Sequence, residues 1–471
     1  MADGKFDKVL DSKEVLALAF GAMIGWGWVV LAGGWVNSAG ALGAMLAFAI
    51  GGVAVVLIGL TYAELAAAMP LTGGEHVYSH RAFGMGGSFI CTWAIILGYI
   101  SVVAFEAVAL PTVIEELFPN YKVGLLWNVA GWDVYFSWAM VGVVGAIIMT
   151  WINILGIKSS ALLQKVVTLL IIVVGLMLVT GALFNGDAAH MEPLFANGAK
   201  GMLAVLIMTP FMFVGFDVIP QAAEEINLPA RKIGRILILS VVMAVAWYIG
   251  VILAVSLALS AEDSAAASLP TVDAMSVVFG GAWAGKLLIL AGIGGIITSW
   301  NAFLVGGSRA IYAMAQAKML PEFLGRLHPK YKTPVNAILM VGALSFIAPL
   351  FGRKALVWLV DAGGLGIVVA YAAVAASFLV LRRKEPDMPR PFRVANGNLI
   401  GWGALILALG IVVLYMPGSP AALIWPYEWA IVGVWAILGL GFYLWSRAKY
   451  PGESDAMIQQ ELRAVRTEVA G

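Results

Sequence analysis

About twelve separate stretches of this chain run for some twenty residues with almost no charge inside them, and a bilayer core asks for about 20 apolar residues per helix. Lipid offers no partner to a backbone amide or carbonyl, so such stretches fold as helices that satisfy their own hydrogen bonds. Bounded by proline, glycine or ionic clusters, they fall at 15 to 36, 41 to 69, 87 to 114, 134 to 154, 161 to 184, 199 to 222, 234 to 259, 285 to 315, 334 to 352, 355 to 381, 398 to 416 and 426 to 446. Composition agrees: 62% of the 471 residues are hydrophobic and 12% charged, against roughly 45–50% and about 25% in soluble domains. The expected fold class is an all-α polytopic membrane protein. The first run follows Lys5, Lys8 and Lys13 and lacks a small-residue cleavage site, so it reads as a retained span.

Several function classes drop out at this level. A formal net charge of +1 gives no basic surface for a nucleic acid. The single cysteine, Cys91, forbids an internal disulfide and any multi-cysteine metal site. His76, His80, His190 and His328 read as loop residues too scattered for a metal centre. No cofactor is expected, and the partners implied are membrane lipid and a small molecule.

Lysine and arginine give the orientation. With the N-terminus inside, the inner segments and flanking span ends hold 22 of these residues, the outer segments hold five (Lys122, Lys200, Lys286, Arg353 and Lys354), and Arg309 lies within a span. Both termini are then cytoplasmic, in what reads as a bacterial inner membrane. The polar stretch 455 to 469 has Ile458, Leu462 and Val465 on one side of a possible short helix.

Two spans carry the marks of a break. The first contains Gly21, Gly25 and Gly27, and glycine costs about 1 kcal/mol relative to alanine in a helix interior. Close helix packing also favours glycine, so this motif alone leaves packing and binding equally open. The sixth, Thr209 to Pro220, holds Pro210, Gly215, Asp217 and Pro220 at membrane depth, and proline removes a backbone donor and clashes with the preceding turn. Two broken spans five apart are what a five-helix inverted repeat produces, with a binding site near the midplane. Amides freed at half-helix N-termini attract anions and freed carbonyls attract cations, which suits a zwitterion.

At these residues the chain resembles the amino acid-polyamine-organocation transporter superfamily. The resemblance rests on Gly25-Trp26-Gly27, on Tyr62 to Leu65 with Met69 to Tyr78, on Gly215-Phe216-Asp217 with Ala223 to Glu225 and Pro229, and on Ser308-Arg309 through Tyr312 to Pro321. It implies a leucine-transporter-type fold: a cytoplasmic N-terminus at 1–14, repeats at 15–184 and 199–381, two further spans at 398–446 and a tail at 447–471. It also implies an amino acid permease, and not an enzyme. The substrate carboxylate would meet the amides of Gly25, Trp26 and Gly27, the amine would meet carbonyls near Ile24 and at Phe213, Val214 and Gly215, and Phe211 would be an aromatic lid. Many relatives carry Ser or Thr where this chain has Trp26, whose bulk, if turned inward, disfavours large substrates.

Charged groups within spans usually face the bundle or a cavity. Asp217 has two readings, a proton or cation site resembling that of some relatives, or an acid capping the second half-helix. Glu106, with no cation nearby in sequence, reads as a neutral hydrogen-bonded group rather than a substrate contact. Glu64 and Arg309 are candidates for an inner-gate ion pair, or for a structural bridge. Glu224, Glu225, Arg231, Lys232 and Arg235 read as a solvated loop cluster. A lysine found in the fifth span of some proton-coupled relatives is replaced here by Ile171. By resemblance to sodium-coupled carriers, Gly21, Ile24, Thr298 and Ser299 would hold sodium; the two hydroxyls have a simpler alternative in bonds to carbonyls one turn back. Symport with sodium is favoured over protons, with exchange third. A channel lining and a nucleophile-base pair are both missing from the pattern, while a membrane sensor of amino acids would use the same site.

The orientation is directly testable. Single cysteines at 326 should be labelled by an impermeant reagent only from the cytoplasmic side, and at 353 only from outside; reversal would overturn the topology.

Overall fold

The first membrane helix starts at a capping box: Asp11 accepts from the amides of Lys13 and Glu14, and Glu14 returns a bond to the Asp11 amide. The bond from Glu14 is the largest influence holding the Asp11 carboxyl below its ordinary range. A computed structural model of the chain describes residues 6–118 and 120–452, with side chains throughout except at 157–160. Among them, eleven helices are long and apolar enough to cross a membrane: Ser12–Val30, Ala41–Ala68, Glu75–Leu117, Phe136–Ile154, Ala161–Asn185, Gly198–Gln221, Ala230–Ala258, Ala282–Gln316, Ala355–Lys384, Gly397–Tyr415 and Tyr427–Lys449. A shorter apolar stretch, Val335–Phe351, stands where the ninth run was expected. These twelve are numbered here as spans 1 to 12 in chain order. The expected short helix at 455 to 469 lies outside the described residues.

Three local departures from expectation have simple causes. Span 1 stops at Val30 and a separate helix, Ala32–Ala39, completes the run. Span 3 begins at Glu75 because a helix that starts there meets the expected span at a kink at Gly84, whose φ of 73° is non-helical and suits glycine. His76 and His80 are therefore buried helical residues, not loop residues. The chain is also not purely helical. Leu125–Val129 and Trp132–Tyr135 pair as an antiparallel hairpin between spans 3 and 4, turning through Ala130 and Gly131 with φ of 50° and 81°, the positive pair that a two-residue hairpin turn demands.

Close helix packing relies on small residues, as lipid supplies no hydrophobic drive between helices. A Cβ on Gly366 of span 10 would lie 2.6 Å from the Ala94 carbonyl of span 3. Span 12 is peripheral, with Ile437 72% and Leu440 58% exposed.

Charges expected to pair or to lie in water are arranged differently. Glu64 and Arg309 do not meet. Arg309, at the end of span 8, donates to Glu225 through Nε and Nη2 at 2.8 and 3.1 Å, so Glu225 is buried and not part of a solvated cluster. The reason is that the turn Ala223–Glu225 follows span 6 directly and carries the acid beneath span 8. The Glu225 carbonyl in turn receives the amides of Val9 and Leu10 at 3.0 Å, tying down the N-terminal segment. Glu64 is taken instead by Arg382 at the end of span 10, at 2.9 Å, and by Arg390 at 3.1 Å.

Breaking a buried pair strands a charge. Glu225→Gln should cost about 3–5 kcal/mol, read as a lowered thermal midpoint in detergent, and joint replacement as Glu225→Leu with Arg309→Met should recover most of it.

Candidate functional site

Helical geometry in span 1 ends at Met23 and resumes at Gly27–Val30. Ile24, at φ −109° and ψ 48°, leaves the helix. The break survives because protein, not lipid, meets its freed groups. Tyr248 of span 7 donates its hydroxyl to the Met23 carbonyl at 2.6 Å. Span 8 approaches backbone to backbone: a Cβ on Gly295 would sit 2.7 Å from the Gly25 oxygen and 3.0 Å from that of Ile24. Gly25 itself lies against Glu106 and Ser299, and a Cβ on Gly27 would meet the Met212 sulfur at 2.8 Å. Trp26 is buried with its indole against Gly292, on the span 8 side. Its bulk therefore fills a groove in span 8 and carries no information about substrate size.

Span 6 is divided into Gly198–Leu206, Thr209–Phe213 and Val218–Gln221. Pro210 opens the middle piece, where a missing amide costs nothing. Val214 is extended, and Gly215 has φ +139°, a conformation open to glycine. A Cβ at Gly215 would lie 2.7 Å from the Ala22 Cβ and 3.0 Å from the Met23 amide nitrogen, so the two breaks touch. Asp217 makes no side-chain cap to Val218–Gln221, which corrects the capping alternative. Its carboxylate accepts from the Gly215 amide and from the Tyr99 hydroxyl, both at 2.7 Å.

Beside the breaks is a cavity of about 20 Å³, bordered among others by Gly25, Phe105, Glu106, Phe211, Tyr248 and Ser299. That is room for about one water. Phe211 covers it in an edge contact with Phe105, ring centroids 5.6 Å apart. Phe213 points elsewhere, packing on Phe48 and Tyr248 at 5.7 and 5.5 Å. Val214 is buried and contributes backbone. Glu106 borders the cavity, with its Oε1 and the Ser299 hydroxyl both against Gly25, while its Oε2 has no partner.

The ion candidates separate into two positions. Thr298 donates to the Gly21 carbonyl at 3.0 Å and to Gly295 at 3.1 Å. Ser299, the next residue on the helix, faces Gly25 and Glu106. Around Gly21 lie further polar groups that the pattern of apolar runs hid: Gln164 and Thr168 reach the Ala17 carbonyl at 3.3 and 3.4 Å, and Asn301 donates to Gln164 at 3.0 Å. Their signal was present as two polar residues four apart within the fifth run. A second missed group lies beyond Asp217. Glu75 accepts from the Gln221 amide, and Glu75 Oε1, Gln221 Oε1 and the hydroxyls of Tyr62, Tyr78 and Tyr371 are buried without partners.

Comparison with known proteins bears on this geometry. Residues 10–438 match the amino acid permease family. The chain belongs to that family. It is 27% identical over 450 residues to a branched-chain amino acid permease of Bacillus subtilis, covering 93% of each chain. With a methylthioribose transporter of the same organism it shares 24% over 448 residues, 93% of this chain and 94% of that one. With the human cationic amino acid transporter 4 the figures are 27% over 401 residues, 81% of this chain and 61% of the other. This permease is accordingly an integral membrane protein of transport type.

The close approach at span 8 makes a sharp test. Gly295→Ala places a methyl against the span 1 backbone and should abolish uptake into proteoliposomes while preserving the yield of folded protein. Gly410→Ala in span 11, with open space around it, should leave uptake unchanged.

Proposed function

We propose that this permease is a secondary active transporter that carries an amino acid or related small amine across the cytoplasmic membrane by alternating access. The observation that carries the reading is the contact between the two breaks, where Gly215 lies against Ala22 and Met23 beside the cavity. Breaks at matching positions of spans 1 to 5 and 6 to 10 fit two inverted repeats, and rocking of one against the other would expose the cavity to each side in turn. The bias of Lys and Arg supports cytoplasmic termini. The names of similar proteins cover branched-chain amino acids, cationic amino acids and methylthioribose, so cargo differs among them and is best argued from this chain's own site.

Coupling to an ion is the favoured mode. The Gly21 carbonyl and the Thr298 hydroxyl are the strongest support for a sodium position, being hard oxygens 3.0 Å apart at the foot of the break. In the proton alternative Asp217 is the carrier, as its carboxylate holds the Gly215 amide and so ties its charge to the shape of span 6.

Uptake under separately imposed sodium and proton gradients distinguishes these modes. In the sodium case, joint conversion of Thr298 and Ser299 to Ala should remove the sodium dependence of substrate affinity, because coupled ligands raise each other's affinity reciprocally. In the proton case, Asp217→Asn should remove the pH dependence and sodium should have no effect. Uptake that ignores both gradients but is driven by internal substrate would make it an exchanger, and binding without uptake would make it a sensor.

A further inference from the structure

We propose that the cargo is a small organic amine lacking an α-carboxylate, held through its ammonium group by Glu106; this rests on the cavity being the transport site. An acid is already present where the ligand must bind. Glu106 is 1% exposed, borders the cavity and lies against Gly25 in the break of span 1. Amides freed by such a break are the natural seat for an anionic group of the ligand. Here the protein places an acid of its own beside the break, from span 3.

The remaining geometry selects the partner. Glu106 Oε2 is buried without a hydrogen-bond partner, and once ionised beside a cation a carboxylate oxygen only accepts, so the partner it can take is a donor. Among the described residues, no lysine, arginine or histidine borders the cavity. A ligand carboxylate would enter a dry space beside a second carboxylate with no cation to offset the pair, an arrangement in which two like charges cannot both persist. An ammonium meets the opposite situation: one acid with a vacant acceptor, and the aromatic side chains of Phe105, Phe211, Tyr248 and Phe303 around it, residue types whose ring faces attract cations.

Matched pairs test this on the full-length protein in detergent and in proteoliposomes: ethanolamine with serine, isobutylamine with valine, and cadaverine with lysine. Binding measured by thermal shift should favour the amine over its amino acid at least tenfold in one or more pairs, and Glu106→Gln should remove that preference. Preference for the amino acid in every pair, no binding by any amine, or a preference untouched in Glu106→Gln would overturn the proposal. If Glu106→Gln fails to fold, the wild-type preference across the pairs decides alone. Failure of the permease reading has a different signature, since amines would then bind with the expected preference and none would enter proteoliposomes.

Discussion

Everything distinctive in this molecule follows from the rule that a backbone amide or carbonyl at membrane depth must find its partner within the protein. Ten of the spans obey it by staying helical. Spans 1 and 6 break it locally and escape the cost only because they do so in the same place, each facing the other and span 8. The Met23 carbonyl is taken by Tyr248 and the Gly215 amide by Asp217. Each of these acceptors or donors comes from a different part of the chain or from beyond the break it serves, so neither interruption is stable by itself. The site is a meeting of structural debts before it is a pocket.

The apolar runs were legible in the sequence because they depend on composition over some twenty residues, and span ends mostly differ by only a few positions. The positions of the breaks were legible for a similar reason, since Gly25, Gly27, Pro210 and Gly215 act on their own backbone. What the sequence hid was direction. Trp26 looked like a limit on substrate size and proved to lie against Gly292. Glu64 and Arg309 looked like partners and were each claimed by a nearer group, Arg382 and Glu225. A pairwise guess between distant charges has no local term to anchor it, whereas a proline's effect is wholly local. The hairpin at 125 to 135 is an intermediate case: its turn residues carry a signal, but its strands of five and four residues fall mostly between the expected spans and are too short to stand out.

Glu106 shows the same limit at the site itself. Read in sequence, an acid within an apolar helix with no cation nearby is most simply a neutral, hydrogen-bonded group. Its distinguishing property is where span 3 passes, alongside Gly25, and that depends on the packing of spans 1, 3 and 8 together. Gln164, Thr168 and Asn301 were similarly diluted by apolar neighbours, although together they reach the backbone one turn below Gly21.

The two breaks are also mechanically joined. A Cβ on Gly215 would collide with Ala22 and Met23, and one on Gly295 with the carbonyls of Ile24 and Gly25, so there is no free space in which one interruption can shift alone. Interiors packed at this density pass on displacements instead of absorbing them. Asp217 lies at the junction, holding Gly215 on one side and Tyr99 on the other, with the partnerless oxygens of Glu75 and Gln221 beyond it. A change in charge or hydration in that buried polar region therefore acts first on the Asp217 carboxylate, next on the Gly215 amide and then on the Met23 backbone beside the cavity. That chain of contacts, three residues long, joins the buried polar region to the backbone that borders the cavity.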